Sequence, residues 1–397
     1  MRIALITSVY QPTIGGVENH VAALADSLVS MGHQADVFAP CPAGHPEQVT
    51  DQTTRSAVRV VRYSAAIQKT GFGIPVGLIS ALRGAAAHYD VFHVHNYHGL
   101  AAAVPAVLGL RPLCFTPHYH GRGHSTVARL LHPPYRPIGH TVFRHAETVI
   151  CVSQAEARLV TRDFPEVASK IVTIPNGVHR DDIASASPYA TDGPIVLVAS
   201  RLEPHKRIDR VISAFAHLPA NHRLVIIGDG HARDALTALA RSSAAASRIR
   251  FLGSLDRATL YRWLNTADVV MTLSDVEAFG LIAAEGLAAG ATVVASDIPS
   301  HRELAAAIDP PRMRLVSGEA PPASVAEIVL STPRREKYRV AVRGVWSWTD
   351  VAEATYDTYA SRAGSTGRRR SPQRGNPRSV RVTRANRRRS MRGESSR

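Results

Sequence analysis

Cysteine is scarce in this chain of 397 residues. The three cysteines, Cys41, Cys114 and Cys151, lie far apart and form no CxxC pair or Cys/His finger spacing. This spacing excludes a disulfide framework and a zinc finger of the usual kind, and it indicates a reducing compartment.

Long hydrophobic runs are also absent. Pro105 and Glu285 interrupt the longest apolar stretches, so none reaches the about 18 residues typical of a transmembrane helix. Residues 1–9 hold a short apolar run without a small-residue cleavage region, which is typical of a first strand rather than a signal peptide. We therefore expect a cytoplasmic protein, with peripheral contact at the inner face of a membrane left open.

Several catalytic motifs do not occur. The sequence contains no GxxxxGK[ST], HExxH or GxSxG, which argues against P-loop hydrolysis, zincin proteolysis and the α/β-hydrolase mechanism. It also lacks a DxD pair that could hold a metal on a diphosphate. His93 and His95 alternate along one strand face and could ligate a metal, but no cysteine or acid cluster accompanies them. We therefore expect an activity that needs no metal or other cofactor.

Acidic residues are outnumbered, with 32 Asp and Glu against 47 Lys and Arg and a net charge of +15. Residues 361–397 hold 13 arginines and one acid, Glu394, so the rest of the chain is nearly neutral. This Arg-rich tail is predicted to be disordered. Its composition is compatible with binding nucleic acid, with an anionic membrane at ~1 kcal/mol per engaged Arg, or with no role. In the rest of the chain, aromatic and basic residues are not interspersed in the way that is typical of single-strand nucleic-acid binding. We therefore expect no specific nucleic-acid partner.

Short β-rich apolar runs alternate with helix-length segments in two series, which predicts two parallel sheets of βαβ units. The runs cover residues 3–7, 35–39, 91–95, 113–116 and 148–152, and then residues 195–199, 224–227, 249–252, 269–272 and 292–295. Residues 184–194, rich in Ser, Pro, Gly and Ala, form the predicted linker. The predicted fold class is α/β, with two Rossmann-like doubly wound domains, residues 1–185 and 190–345, facing across a cleft.

Such sheets bind ligands in the loops that follow the carboxyl ends of their strands. The first of these loops contains Gly15 and Gly16 just before a helix-like segment. Paired glycines let backbone approach a ligand closely, and the free amides at a helix start attract a phosphate. A pair that merely turns the chain has the same pattern, so a phosphate role requires other contacts that converge on it.

Two basic residues, Arg201 and Lys206, follow the strand of residues 195–199. Two cations at the carboxyl end of a strand can hold both phosphates of a diphosphate and neutralise the charge that grows as it leaves. A solvated basic turn is the alternative interpretation.

The most specific segment spans residues 275–285. Glu277 follows a strand, a helix begins near Phe279 and Gly280, and Glu285 lies within that helix. The first carboxylate could accept hydrogen bonds from sugar hydroxyls, the amides of residues 279–281 could bind an anion, and Glu285 could hold a ribose diol. The alternative is that both acids only stabilise the positive end of the helix. Glu285, however, lies among Ala and Leu, where a carboxylate without a partner costs free energy.

Histidines are concentrated in residues 116–124, a loop that follows another strand and overhangs the predicted cleft. We expect His118 to contact the reacting centre. A cleft-lining histidine without a chemical role is the alternative.

In order and combination these motifs resemble those of the retaining glycosyltransferases of family 4, which have the GT-B fold of two Rossmann domains. The resemblance extends over roughly residues 1–360. It is carried by residues 15–18, 116–118, 175–178, 201–202 with 206, 228–230, 251–253, and 277–280 with 285. The chain departs from the family at Arg207, where Gly is usual, and at His179, where Asp is common.

The resemblance implies a nucleotide-diphosphate sugar that lies on the second domain and is reached from the first. The residues implied to bind this donor are Gly15, Gly16, Arg201, Lys206, Phe251, Leu252, Glu277, Phe279, Gly280, Leu281 and Glu285. Among them, Phe251 and Leu252 would border the base, and Gly16 would reach a phosphate. Residues 346–360 would form a helix that returns to the first domain.

The implied reaction moves the sugar to a hydroxyl acceptor, such as a lipid or glycan, through an oxocarbenium-like transition state. His118, Arg201, Lys206 and Glu277 are the implied catalytic residues. No second carboxylate is evident on the first-domain side, so we favour front-face attack guided by the leaving phosphate over a covalent glycosyl-enzyme. A nucleotide-sugar epimerase of the same fold and a non-catalytic nucleic-acid-binding protein stay open as alternatives.

Overall fold

The computed structural model describes residues 1–13, 15–42, 50–51, 58–66, 73–121, 126–332 and 343–367. The predicted Arg-rich tail therefore lies outside the described residues from residue 368 onward. Within the described ranges the chain forms two parallel sheets that alternate with helices, as the α/β prediction required.

The first sheet has eight strands among the described residues. They are β1 Arg2–Ile6, β2 Gln34–Pro40, β3 Thr50–Asp51, β4 Arg59–Tyr63, β5 Val91–His95, β6 Leu113–Thr116, β7 Thr148–Cys151 and β8 Ile171–Thr173. Their order is β3-β4-β2-β1-β5-β6-β7-β8, and every pairing is parallel except that of β3 with β4. The strand order therefore reverses between β1 and β5.

The second sheet has six described strands. They are β9 Ile195–Ala199, β10 Arg223–Ile227, β11 Ile249–Gly253, β12 Val269–Thr272, β13 Thr292–Ser296 and β14 Met313–Val316. Their order is β11-β10-β9-β12-β13-β14, all parallel, so the order reverses between β9 and β12. A crevice opens at such a switch point because the flanking connections leave in opposite directions.

Helices connect the strands. They are α1 Gly16–Ser30, α2 Val76–Ala85, α3 Ala103–Val107, α4 Thr126–His145, α5 Gln154–Asp163, α6 Arg180–Ser185, α7 Ile208–Phe215, α8 Arg233–Ser242, α9 Arg257–Thr266, α10 Leu281–Ala288, α11 Pro299–Ala307, α12 Pro322–Leu330 and α13 Trp348–Gly367. No helix in the described ranges combines the length and the apolar character needed to cross a bilayer.

The apolar strands are buried on both faces. In β9, Ile195 and Leu197 belong to one hydrophobic cluster, while Val196 and Val198 belong to another on the opposite face. Successive side chains of a strand point to opposite faces, so a continuous apolar run is stable only between two layers of helices. Continuous runs of this kind are what made the strands recognisable in the sequence.

Helix α13 returns from the second domain to the first and packs against α1. Ala352 and Tyr359 lie in the first-domain core, and the Tyr359 hydroxyl is 2.6 Å from His93 Nδ1. The helix extends past residue 360 to Gly367. Ala352 and Tyr359, which follow the second domain in the sequence, therefore complete the core of the first domain.

Candidate active site

A cavity of about 770 Å³ lies between the carboxyl ends of the two sheets. Its volume falls within the roughly 300–1,000 Å³ of small-molecule sites. The predicted site residues that line it are Gly15, Gly16, His118, Arg201, Lys206, Glu277, Phe279, Gly280, Leu281 and Glu285. The structure therefore brings together residues from loops that are far apart in the sequence.

Phe251 and Leu252 do not line this cavity, and their predicted place beside a base needs correction. Both lie in β11, where each is partly buried against a hydrophobic cluster, one on either face of the sheet. Ser254 and Leu255, which follow the end of the strand, line the cavity instead. A strand directs its own side chains into the core, so ligand contacts come from the loop after it.

Lys206 and Glu277 form an ion pair at the switch point of the second sheet. Lys206 Nζ is 2.6 Å from Glu277 Oε1, which also accepts a hydrogen bond from Ser274 Oγ at 2.9 Å. Each charged side chain is 15% exposed. Burial alone would raise the pKa of Glu277, but the Lys206 ammonium and the hydrogen bonds lower it to about 2. The carboxylate is therefore an ionised acceptor across the physiological range.

Helix α10 begins directly behind this ion pair. Gly280, at φ 98°, has the left-handed conformation that favours glycine, and a Cβ there would lie 2.9 Å from His301 Cδ2. The first free amides of the helix belong to Leu281, Ile282 and Ala283, two residues later than predicted. These amides point the positive end of the helix dipole toward the cavity, where an anion would be stabilised.

Glu285 is 4% exposed and meets Arg257, which the sequence analysis did not single out. Arg257 Nη2 donates to Glu285 Oε1 at 2.8 Å, and Arg257 Nε donates to the Tyr261 hydroxyl at 2.8 Å. Burial raises the pKa of Glu285 despite the neighbouring guanidinium. One carboxylate oxygen of Glu285 is thus held by Arg257, and Glu285 also lines the cavity.

Glu285→Gln is expected to weaken the binding of a nucleoside diphosphate about tenfold, since a hydrogen bond to a charged group contributes ~1.5 kcal/mol. Isothermal titration calorimetry measures the change. Glu327→Gln, at an exposed acid of α12, is the matched control and should bind as the wild type does. Equal affinity in both variants would contradict the role of Glu285.

The first domain contributes Gly15 and Gly16 at the start of α1. A Cβ on Gly15 would collide with the Glu18 carboxylate, which folds back over the helix start, whereas a Cβ on Gly16 would meet no atom within 4 Å. Glu18 thus lies three residues after the N-cap, the position of the acid in a capping box. Burial raises the pKa of Glu18, and the positive charge of Arg201 across the cleft offsets part of this increase.

Gly16→Ala is expected to leave stability unchanged and to lower the affinity for a nucleotide sugar at least tenfold, because the new methyl group occupies space that only a ligand would use. Gly84→Ala in α2, whose Cβ also meets no atom within 4 Å, is the matched control. Thermal unfolding and calorimetry check both effects. Undiminished affinity in Gly16→Ala would show that no ligand approaches this loop.

Arg207, the departure from the family pattern, has a left-handed backbone at φ 50°. Glycine adopts this conformation without strain, which accounts for its usual presence there. In this chain the side chain of Arg207 pairs with Asp209 at 3.3 Å and with Asp275 at 3.2 Å. These contacts compensate for the backbone strain and tie the Lys206 loop to the loop that carries Glu277.

His118 follows β6 with a left-handed backbone, φ 49°, in a loop held by Glu156. The Glu156 carboxylate accepts hydrogen bonds from the amides of Tyr119 and Val152. Burial raises the pKa of Glu156 to about 8, although both hydrogen bonds lower it. The loop is therefore fixed by a carboxyl group that the sequence analysis missed: Ser153 and Glu156 have the spacing of a capping box at the start of α5, but the contact with Tyr119 joins distant segments.

His93 and His95 do not offer the pair of metal ligands that strand alternation suggested, although their ring centroids are 4.1 Å apart. His93 Nδ1 meets Tyr359 and His93 Nε2 meets Thr116 Oγ1 at 2.8 Å, so both of its ring nitrogens have partners. His95 instead lies near His20 and His118, with all three buried. Burial lowers the pKa of His20 to about 4 and the pKa values of His95 and His118 well below the ordinary value.

The two domains also contact each other beside the cavity. Ser153 Oγ donates to the Ala278 carbonyl at 2.6 Å, and Glu303 accepts hydrogen bonds from the amides of Gln154 and Ala155 at 2.8 and 3.0 Å. Two facing Rossmann-like sheets with a ligand-sized cleft between them define the GT-B class of fold.

Family models identify the chain more closely. Residues 14–182 match the model described as Glycosyltransferase Family 4, and residues 179–310 match the model described as Glycosyl transferases group 1. The chain belongs to the GT-B glycosyltransferases of the family 4 type, and it is an enzyme.

Curated relatives and solved structures agree with this assignment. The chain is 29% identical over 330 residues to a glycogen synthase of Mycobacterium tuberculosis, covering 75% of this chain and 78% of that protein. It is 27% identical over 388 residues to the phosphatidyl-myo-inositol mannosyltransferase of the same organism, covering 92% and 98%. The sucrose-phosphate synthase of Thermosynechococcus elongatus superposes with a TM-score of 0.68 at 19% identity, covering 93% and 98%. Anabaena HepE, solved with UDP-glucose, gives 0.67 at 17% identity, covering 93% and 100%.

Proposed function

We propose that the enzyme transfers a sugar from a UDP- or GDP-linked donor to a hydroxyl of a lipid or glycan acceptor, with retention of anomeric configuration. The observation that carries the proposal is the convergence of Arg201, Lys206 and the first amides of α10 at one switch point, opposite Gly16. Such a set of cations and amides is suited to a diphosphate. The neighbour solved with UDP-glucose and the relative named as a mannosyltransferase on phosphatidyl-myo-inositol support this substrate class.

The proposed reaction uses front-face attack. As the glycosidic bond breaks, Arg201 and Lys206 stabilise the charge on the departing diphosphate, and a phosphate oxygen guides the acceptor hydroxyl on the same face. A covalent route would need a carboxylate on the first-domain side, and Glu18 is one that the sequence analysis overlooked there. Its carboxylate folds back against Gly15 at the capping-box position of α1, which favours a structural role for it.

We also propose that transfer needs no metal cofactor. The diphosphate would be neutralised by the two cations and the amides of α10, which supply positive charge where a metal ion otherwise acts. His118 and Glu277 would contact the sugar, with Glu277 accepting hydrogen bonds from its hydroxyls.

Incubation with a panel of nucleotide sugars and candidate acceptors tests the proposal. Glycosyl transfer predicts release of the nucleoside diphosphate together with a glycoside whose anomeric configuration, read by NMR, matches the donor. An epimerised donor without an acceptor product would support the epimerase alternative. Absence of any conversion, together with no thermal shift by nucleoside diphosphates, would reject both, since a ligand at a hundred times its Kd adds ~2.7 kcal/mol to stability.

The Arg-rich tail is proposed to hold the enzyme at an anionic membrane, in keeping with a role in envelope glycan or glycolipid synthesis. A chain that ends at Gly367 is expected to sediment with phosphatidylserine vesicles at least tenfold less than the full chain, because each engaged Arg contributes ~1 kcal/mol. Phosphatidylcholine vesicles are the control, and neither chain should bind them. Equal sedimentation of the two chains with the anionic vesicles would remove the membrane role.

A further inference from the structure

Three buried histidines meet beneath the cavity wall of the first domain. His20 comes from α1, His95 ends β5, and His118 follows β6. One ring nitrogen from each lies within 4.8 Å of the other two. The ring centroids of His20 and His118 are 4.8 Å apart, and those of His20 and His95 are 5.3 Å apart. Three distant segments therefore bring their imidazoles to one point.

These rings have unused hydrogen-bonding atoms. Among the described residues, neither ring nitrogen of His95 has a hydrogen-bond partner, and nor does His118 Nε2. A buried polar atom without a partner costs about 1–3 kcal/mol, and His95 and His118 each have such a nitrogen, so the cluster is suited to a ligand that would satisfy them. In the described structure His95 is fully buried and His118 is 5% exposed, which leaves bulk water little access to them.

His20 is oriented as a metal ligand would be. Its Nδ1 donates a hydrogen bond to Asn176 Oδ1 at 2.8 Å, which leaves the lone pair on Nε2. Histidines that bind metals donate their other ring N–H to an oxygen in the same way, which fixes the tautomer and the ring orientation.

The donor set selects the kind of ion. Three neutral imidazoles without a carboxylate suit Zn²⁺ or another late transition metal, whereas Mg²⁺ and Ca²⁺ prefer oxygen ligands. A tetrahedral ion with bonds of about 2.0–2.1 Å places its nitrogens about 3.4 Å apart, so each ring needs to move inward by less than about 1 Å. The fourth position would be adjacent to the cavity, since His118 lines it.

We propose that His20, His95 and His118 bind one Zn²⁺ ion, and that this ion inhibits the enzyme by withdrawing His118 from the donor sugar. The binding depends only on the three imidazoles, whereas the inhibition rests on the proposed function. The site would thus be regulatory, since the transfer itself is proposed to need no metal.

Titration of the full-length, chelator-treated protein with Co²⁺ tests the binding. One equivalent is expected to give the intense visible d–d absorption of four-coordinate Co²⁺, which Zn²⁺ then displaces. His95→Gln and His20→Gln should each weaken binding at least a hundredfold, and Asn176→Ala should weaken it 10–100-fold through its outer-shell role. His98→Gln, at a cavity-lining histidine outside the trio, is the matched control and should bind as the wild type does.

Circular dichroism identifies a variant that fails to fold, and Asn176→Ala, which keeps all three histidines, then carries the comparison. Wild-type protein that binds no Co²⁺, or binds it equally well in all variants, would overturn the site. Donor turnover without Co²⁺ binding would refute only this inference, and Co²⁺ binding without donor turnover would refute only the proposed function. Transfer that Zn²⁺ leaves unchanged at full occupancy would overturn the inhibition, whereas inhibition competitive with the donor would support it.

Discussion

Lys206→Ala is expected to lower turnover about a hundredfold and to destabilise the protein by about 3 kcal/mol. The turnover falls because Lys206 would stabilise charge on the leaving diphosphate, and a group of this kind contributes ~3 kcal/mol to the transition state. The stability falls because Glu277 loses its partner at 2.6 Å while it stays 15% exposed. Breaking one side of a buried ion pair costs about 3–5 kcal/mol, and the residual exposure places this pair at the lower end. Steady-state kinetics and urea unfolding measure the two effects.

A double variant separates these effects. In Lys206→Met with Glu277→Gln both side chains are neutral, so most of the lost stability should return while turnover stays low. If Lys206→Ala instead retains wild-type turnover, Lys206 has only a structural role.

The dependence of stability on pH provides an independent readout of the same ion pair. The pKa of Glu277 is lowered from its ordinary value of 4.5 to about 2 in the folded protein. The pair therefore adds stability above pH about 4.5 and loses it as the pH falls toward 2. This loss should be absent in the double variant, which has no carboxylate at this position.

Most strands could be predicted because buried parallel strands are continuous apolar runs. All ten predicted strands occur, with ends that match or differ by one residue. The strands that sequence analysis missed are β3, β4, β8 and β14. Arg59 and Arg62 interrupt β4, β14 contains Arg314, and β3 and β8 are only two and three residues long. Three of the four, β3, β8 and β14, lie at a sheet edge, and β4 lies next to β3.

The candidate site was predictable where function leaves a local pattern. The glycines, the two cations and Glu277 lie in loops or at helix starts after recognisable strands, and Glu285 lies in the helix that follows Glu277. Glu156, Arg257 and the His20–Asn176 contact were not predictable, because each joins segments that are distant in the chain. Their partners are set by the topology of the sheets, as when Glu156 reaches the amide of Tyr119 on a neighbouring loop.

The sequence shows Arg201 and Lys206 only as two cations of the same loop, whereas the structure shows that their environments differ. Lys206 already holds an acid in a largely buried pair, whereas Arg201 is exposed at the cavity and interacts with Glu18 only at longer range across the cleft. Removing Lys206 therefore perturbs folding and catalysis together. Removing Arg201 isolates the contribution of a cation to catalysis.

Arg201→Ala is accordingly expected to lower turnover about a hundredfold while the free energy of unfolding stays within about 0.5 kcal/mol of wild type. Arg250→Ala, at an exposed arginine of β11 outside the cavity, is the matched control and should leave both quantities unchanged. If Arg201 acted mainly in binding, the donor KM would rise with kcat unchanged, whereas stabilisation of the leaving group requires kcat itself to fall. A donor with a better leaving group should recover part of the lost rate in Arg201→Ala, because less charge then needs stabilising as the bond breaks. Equal losses with good and poor leaving groups would contradict the assigned role.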